Sequence, residues 1–194
     1  MKKNKITAAL GIFLLGAAFV YGLVLPFMWG NNPLSETGTL SLLCEDRKIF
    51  FWIWGILTCG SISFNTEYLY EKFSYKNKFF DAMCILSVIS VCLVALTLGH
   101  SILDWNPKRV MHWIATGMYI AFTAAPLLLF FLVNIKKYKH FGVLAVCVLL
   151  ILGTFVFIFA FVGKSALMEM VPIALIEIFL FLVNFTPLLK KEEK

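Results

Sequence analysis

Six long apolar stretches take up most of this chain, and they exclude nearly every soluble fold. A transmembrane helix needs about 20 mostly apolar residues. The stretches lie at 6–29, 49–66, 79–99, 110–134, 142–163 and 168–188. Lipid offers no partners to backbone N–H and C=O groups, so each stretch must be helical. Only short loops remain between them, so residues 1–194 read as one all-α domain, a polytopic membrane protein of six transmembrane helices. Charge content agrees: 14% of the residues are charged, where a soluble domain holds about 25%.

The net charge of +6 is explained by orientation. With the N-terminus inside, the inner segments hold Lys2, Lys3, Lys5, Lys72, Lys76, Lys78, Lys136, Lys137, Lys139, Lys190, Lys191 and Lys194. The outer loops hold only Arg47, Lys48, Lys108, Arg109 and Lys164. This positive-inside pattern predicts that both termini are cytoplasmic, in the plasma (inner) membrane of a bacterium-like cell. No basic face with interleaved aromatics exists, so nucleic acid is not an expected partner. The start, Met1-Lys2-Lys3-Asn4-Lys5, imitates a signal peptide, but apolar residues run well past Ala17-Ala18, and an uncleaved first span is expected.

Five cysteines form no framework. Cys59, Cys84, Cys92 and Cys147 fall inside spans, Cys44 is alone in a loop, and no CxxC pair is present. Trp29, Trp52, Trp54, Trp105 and Trp113 lie near the outer ends of spans and read as an interfacial belt. Gly11, Ala18 and Gly22 form a small-residue stripe suited to close helix contact.

A helix turns about 100° per residue, so spacing decides which side chains share a face. His112, Thr116, Tyr119, Thr123, Pro126 and Asn134 of the fourth span fall within roughly 80°. Ser90, Thr97, His100, Ser101 and Asp104 of the third fall within roughly 100°, and Glu169, Glu177 and Asn184 of the sixth within roughly 80°. Thr58, Cys59, Asn65 and Thr66 of the second share a face with Gly55. The fifth span is almost wholly apolar, with Thr154 its only hydroxyl, and is expected to face lipid or plug a gap. These polar faces should point inward, where they bond between helices or to their own helix carbonyls, or line a cavity.

Glu177 is the sharpest candidate. A charge at mid-bilayer costs about 2.5–3.5 kcal/mol on insertion scales, and no Lys or Arg shares its depth, so Tyr119, Thr123 and Ser90 are its expected neighbours. His100, Asp104 and His112 form a second group near the outer surface, with Glu169 and Glu36 in reach. Two histidines and a carboxylate are a candidate set for a divalent metal, for acid–base chemistry or for ligand contact. Interfacial histidines also serve purely as helix caps. Lys108 and Arg109 beside them suit an anionic headgroup or plain solvation.

The leading expectation is a polar intramembrane cavity open to the outer side. It would bind a lipid or other amphiphilic small molecule through His100, Asp104, His112, Thr116, Tyr119, Thr123, Glu169 and Glu177. The first alternative is a membrane-embedded lipid hydrolase or transferase, metal-dependent if the histidines bind a divalent ion. The second is a small transporter or its substrate-binding subunit, with Glu177, Pro172 and Pro126 as a kinked, protonatable gate. Membrane lipids, and a protein partner or second copy of the chain, complete the expected partners.

The segment Pro33-Leu34-Ser35-Glu36-Thr37-Gly38-Thr39, followed by a span beginning Ile49-Phe50, resembles the damage-regulated autophagy modulator/Frag/Sfk family. His112 resembles a histidine that opens a later span there. Where that family often has a proline and a glutamate after the Thr-Gly, this chain has Leu42-Leu43-Cys44-Glu45. The layout is also similar to bacterial six-span families of unknown function. The resemblance implies six spans and a link to lipid-anchor remodelling or membrane homeostasis, and supplies no catalytic residue.

Overall fold

The structure, a computed structural model, describes residues 2–30, 32–35, 39–98, 107–163 and 165–189. Among them there is helix and no strand. The helices are α1 (Lys2–Val24), α2 (Leu40–Leu43), α3 (Lys48–Lys72), α4 (Lys78–Leu96), α5 (Pro107–Asn134), α6 (Phe141–Val162) and α7 (Ala166–Phe185). All but α2 are long and apolar enough to cross a membrane, with α1 counted together with its 3-10 continuation. The chain is therefore built as a multi-pass membrane protein.

Local chemistry sets the helix ends. Pro26 disfavours α geometry in the residue before it, so α1 stops at Val24 and continues as a 3-10 turn, Leu25–Gly30. Gly30 ends that turn at φ 72°, a conformation that suits glycine. At α4, the Asn77 side chain accepts from Phe79 N at 2.9 Å, with Asp81 in the first turn. Pro107 opens α5, where its missing N–H removes nothing. Hydropathy ends the second span at residue 66, but α3 runs on to Lys72 because Leu69 and Tyr70 remain in the core. Lys72 Nζ donates to the Val183 and Asn184 carbonyls, both at 3.2 Å, and so caps the end of α7.

The long helices form a ring in which each touches its sequence neighbours and α7 closes back onto α1. α3 also reaches across to α5 and α7, and is the most buried of the spans. One end of the bundle carries Lys72, Lys76, Lys78, Lys136, Lys137 and Lys139, and is termed here the lysine-rich end. The other, the loop end, carries α2. α6 is the least buried span, and its Leu150, Val156, Phe157 and Phe161 face outward, as its composition leads one to expect.

Packing differs at the two ends. The lysine-rich end holds an aromatic core in which Phe130 touches Tyr70, Phe73, Tyr75, Phe131 and Phe141, with ring centres 4.9–5.8 Å away. Tyr70 adds a hydrogen bond from its hydroxyl to the Pro126 carbonyl at 2.6 Å. The loop end is more varied: Leu25, Leu40, Cys44, Phe51, Trp54 and Met170 pack together. The small-residue stripe acts where Gly11 of α1 meets Asn65 of α3: a Cβ there would lie 2.8 Å from Asn65 Oδ1.

Candidate functional site

Residues 112, 116, 119 and 123 repeat at steps of four, three and four, which places them on one face of α5. Much of that face is satisfied within its own helix. Thr116 Oγ1 donates to the His112 carbonyl at 2.8 Å, and Thr123 Oγ1 to the Tyr119 carbonyl at 2.7 Å. Ser90, Thr66 and Thr97 bond in the same way within α4 and α3. Hydroxyl groups that form polar stripes in the sequence thus cost little in the membrane, and a stripe alone does not mark a cavity.

Two contacts do cross between helices on this face. His112 Nδ1 lies 3.2 Å from Thr97 Oγ1 of α4. Tyr119 donates its hydroxyl to Thr58 Oγ1 of α3 at 3.1 Å, and Thr58 donates onward to the Trp54 carbonyl at 2.8 Å. From α7, Glu169 Oε2 accepts from Leu40 N, the first N–H of α2, at 2.7 Å. Ala166 N donates to the Pro33 carbonyl at 3.1 Å. The described part of the 33–44 segment is therefore tied down onto the start of α7.

His112, Thr116, Tyr119 and Glu169 line a single cavity of about 60 Å³ in the loop-end half of the bundle. Its remaining walls are apolar, among them Phe51, Trp54, Val94, Phe155 and Pro172. Tyr119, Ile120, Pro172 and Ile173 also border a smaller space of about 40 Å³, and Thr123 lines that one. Glu177 lines neither. It sits in a groove of about 210 Å³ between α1 and α7, with Leu15, Gly16, Phe19, Ile178 and Phe181. The expectation that one cavity runs from the histidines down to Glu177 is thus replaced by two distinct places. Helical periodicity gives the face of α7 that Glu177 shares with Glu169, and α1 is the neighbour it meets there.

His100 and Asp104 lie outside the described residues, as does Glu36. Among the described residues no group of three or more His, Cys, Asp and Glu side chains is arranged to hold a metal ion. Within the cavity, His112 and Glu169 are the only His, Cys, Asp or Glu side chains.

The apolar lining was not singled out in the sequence, and Trp54 and Phe51 are its clearest cases. Trp54 is only 7% exposed, inside the bundle and away from the interfacial belt its position suggests, and Phe51 is buried beside it. The signal was present: 51, 54, 55 and 58 follow the i, i+3, i+4, i+7 pattern of one face, the face of Gly55 and Thr58.

Cys44 closes the loop end. It is a free thiol, fully buried, and its burial pushes the thiol up to about 11, with the nearby Glu169 carboxylate adding and Arg47 opposing. Very little of the Cys44 thiol is then ionised at pH 8. Maleimide labelling at that pH should therefore spare Cys44 in the native protein. Glu169→Ala removes both the anchor of Leu40 N and the charge beside the thiol, so it should raise the labelling rate of Cys44. Peptide mass spectrometry of the labelled protein reads this directly, and an unchanged rate would separate the segment's position from Glu169.

Compared with family models, curated proteins and solved structures, the chain has no significant match.

Proposed function

We propose that this chain is a plasma-membrane protein with both termini cytoplasmic, and that its loop-end cavity binds the polar end of a lipid or other amphiphile from the outer leaflet. The lysine distribution supports the orientation. One observation carries the binding reading: four polar side chains on two helices, His112, Thr116, Tyr119 and Glu169, converge on a cavity whose other walls are apolar. A few placed polar groups in an apolar concavity are the usual form of a small-molecule site.

The size of the cavity narrows the ligand. A water needs roughly 10–15 Å³ of such volume, so about 60 Å³ accepts a handful of non-hydrogen atoms. A whole lipid does not fit. A compact polar head does, with the apolar remainder lying between helices or in the bilayer. His112 supplies a nitrogen that can donate or accept, and Glu169 an acceptor. The resemblance to a six-span family linked to lipid-anchor remodelling points the same way.

Native mass spectrometry from mild detergent tests this. Wild-type protein should retain an amphiphile at one per chain. Thr116→Phe, which fills the cavity, and His112→Leu should each lose it. Glu169→Gln keeps an oxygen for Leu40 N and should weaken retention without disturbing the fold. Equal retention in all of these proteins would place the bound molecule elsewhere on the bundle.

A further inference from the structure

Glu177 is 2% exposed, and its Oε1 is enclosed without a hydrogen-bond partner. It stands at the twelfth position of the twenty-residue α7, so its carboxyl is near mid-bilayer. Phospholipid headgroups stay at the interface and do not reach that depth.

The side chains on the way to it share one property. Asn65 Nδ2 donates to the Gly11 and Ser61 carbonyls at 3.2 and 2.9 Å, and Asn184 Nδ2 donates to the Asn65 carbonyl at 2.8 Å. Asn65 has thus spent both amide hydrogens and Asn184 one of its two, while Asn65 Oδ1, Asn184 Oδ1 and Ser61 Oγ are buried without partners. α3 and α7 run parallel with Asn65 beside Asn184. Ser61 is one turn further toward the loop end, and Glu177 two turns. Lys72 marks the start of this line at the lysine-rich end, on the Asn184 carbonyl. Buried polar groups left unpaired in this number call for a partner that can both donate and accept, and the one small enough to pass between packed helices is water.

We propose that the α1–α3–α7 seam is a water-fed proton site: Glu177 takes up and releases a proton carried along Ser61, Asn65 and Asn184 from the lysine-rich end. The site is a different place from the loop-end cavity, and the two meet electrostatically through Tyr119. Its electrostatic surroundings are simple. α1 brings Leu15, Gly16 and Phe19 to the groove, and α6 carries no acidic or basic residue. The buried polar groups of α3 on this side are uncharged until Lys72. Tyr119 of α5 lies within electrostatic reach, and Glu169 is two turns away on α7.

The groove between α1 and α7 supplies the test, because Glu177 is part of its wall and a lipid-soluble reagent can enter it. Dicyclohexylcarbodiimide adds to a protonated carboxylic acid and leaves a stable N-acylurea in which the whole reagent is retained. The full chain in lipid nanodiscs should gain one such adduct, at Glu177, and Glu177→Gln should gain none there. Its rate, normalised to surviving reagent, should fall as bulk pH rises, because a proton that exchanges with water is lost in alkali. A Cβ at Gly16 would meet open space, so Gly16→Leu should fold normally and lose the label by filling the groove. Ser61→Ala with Asn184→Leu should flatten the pH dependence and leave the label in place. No adduct at Glu177 in the wild type, or a rate indifferent to bulk pH, overturns the proposal and leaves Glu177 as a helix-packing residue.

Discussion

Phe130→Ala is expected to cause the largest loss of stability of any single truncation in the bundle. In a water-soluble core, Phe→Ala costs about 3–5 kcal/mol. Here the separated helices stay in lipid, so the transfer part of that cost largely disappears. The cavity part remains. At about 24 cal/mol per Å³ over the roughly 100 Å³ vacated, it comes to about 2 kcal/mol. Lost ring contacts add to it, since Phe130 is fully buried among five aromatic neighbours. Pairs of this kind are worth about 0.5–1.5 kcal/mol each beyond area. Phe130→Leu keeps most of the volume and should lose less than half as much. Phe161, 75% exposed on α6, provides the contrast: Phe161→Ala should change little, because lipid replaces the ring. Unfolding in mixed micelles with rising detergent denaturant measures all three. Equal losses at Phe130 and Phe161 would mean that the aromatic core is not the packed end of the bundle.

Gly55→Ala is expected to destabilise by about 1–3 kcal/mol through overpacking, although it adds a single methyl group. A Cβ at Gly55 would lie 2.5 Å from Val91 Cγ1. Valine is β-branched and nearly locked to one rotamer in a helix, so Val91 cannot swing aside and α4 must shift. That shift reaches the site, because Val91 and Val94 line the cavity and Thr97 of the same helix meets His112. Ligand retention should fall together with stability. Val91→Ala should restore both, since Val91 Cβ is 3.8 Å from the new atom, an ordinary contact. The same unfolding and native mass measurements apply. Failure of the second substitution to rescue the first would place the critical contact of Gly55 elsewhere.

How much of this was legible in the sequence depends on the length scale. Span-long hydropathy found every long helix, because a bilayer filters for length and apolarity directly. Helix ends were less visible: α3 outruns its apolar stretch, since Lys72 finds carbonyls on α7 that no local pattern reveals. Periodicity brought His112, Thr116 and Tyr119 to one face, and Glu169 joins them in space. It did not separate Glu177 from them, because an angle around one helix axis does not say which neighbour stands opposite. Nor did it distinguish Thr116 and Thr123, bonded to their own helix, from Thr58, which is bonded to its own helix and also accepts from Tyr119 of another. Trp54 was misplaced because its position near a span end is shared by belt tryptophans and by core residues alike.

The closure of the ring between α1 and α7 has a consequence for biosynthesis. The helices emerge in order, so α3 enters the bilayer well before the helix that will cover it. Asn65 would then be a liability, were its amide hydrogens not already taken by Gly11 of α1 and Ser61 of α3 itself. The first two spans can wait as a hairpin in which the Asn65 amide hydrogens are already paired. Asn184, arriving last, finds for its amide a backbone carbonyl that the hairpin has kept in place. The final span is then the latch, since it alone joins α1 to α6 and closes the ring among the described helices.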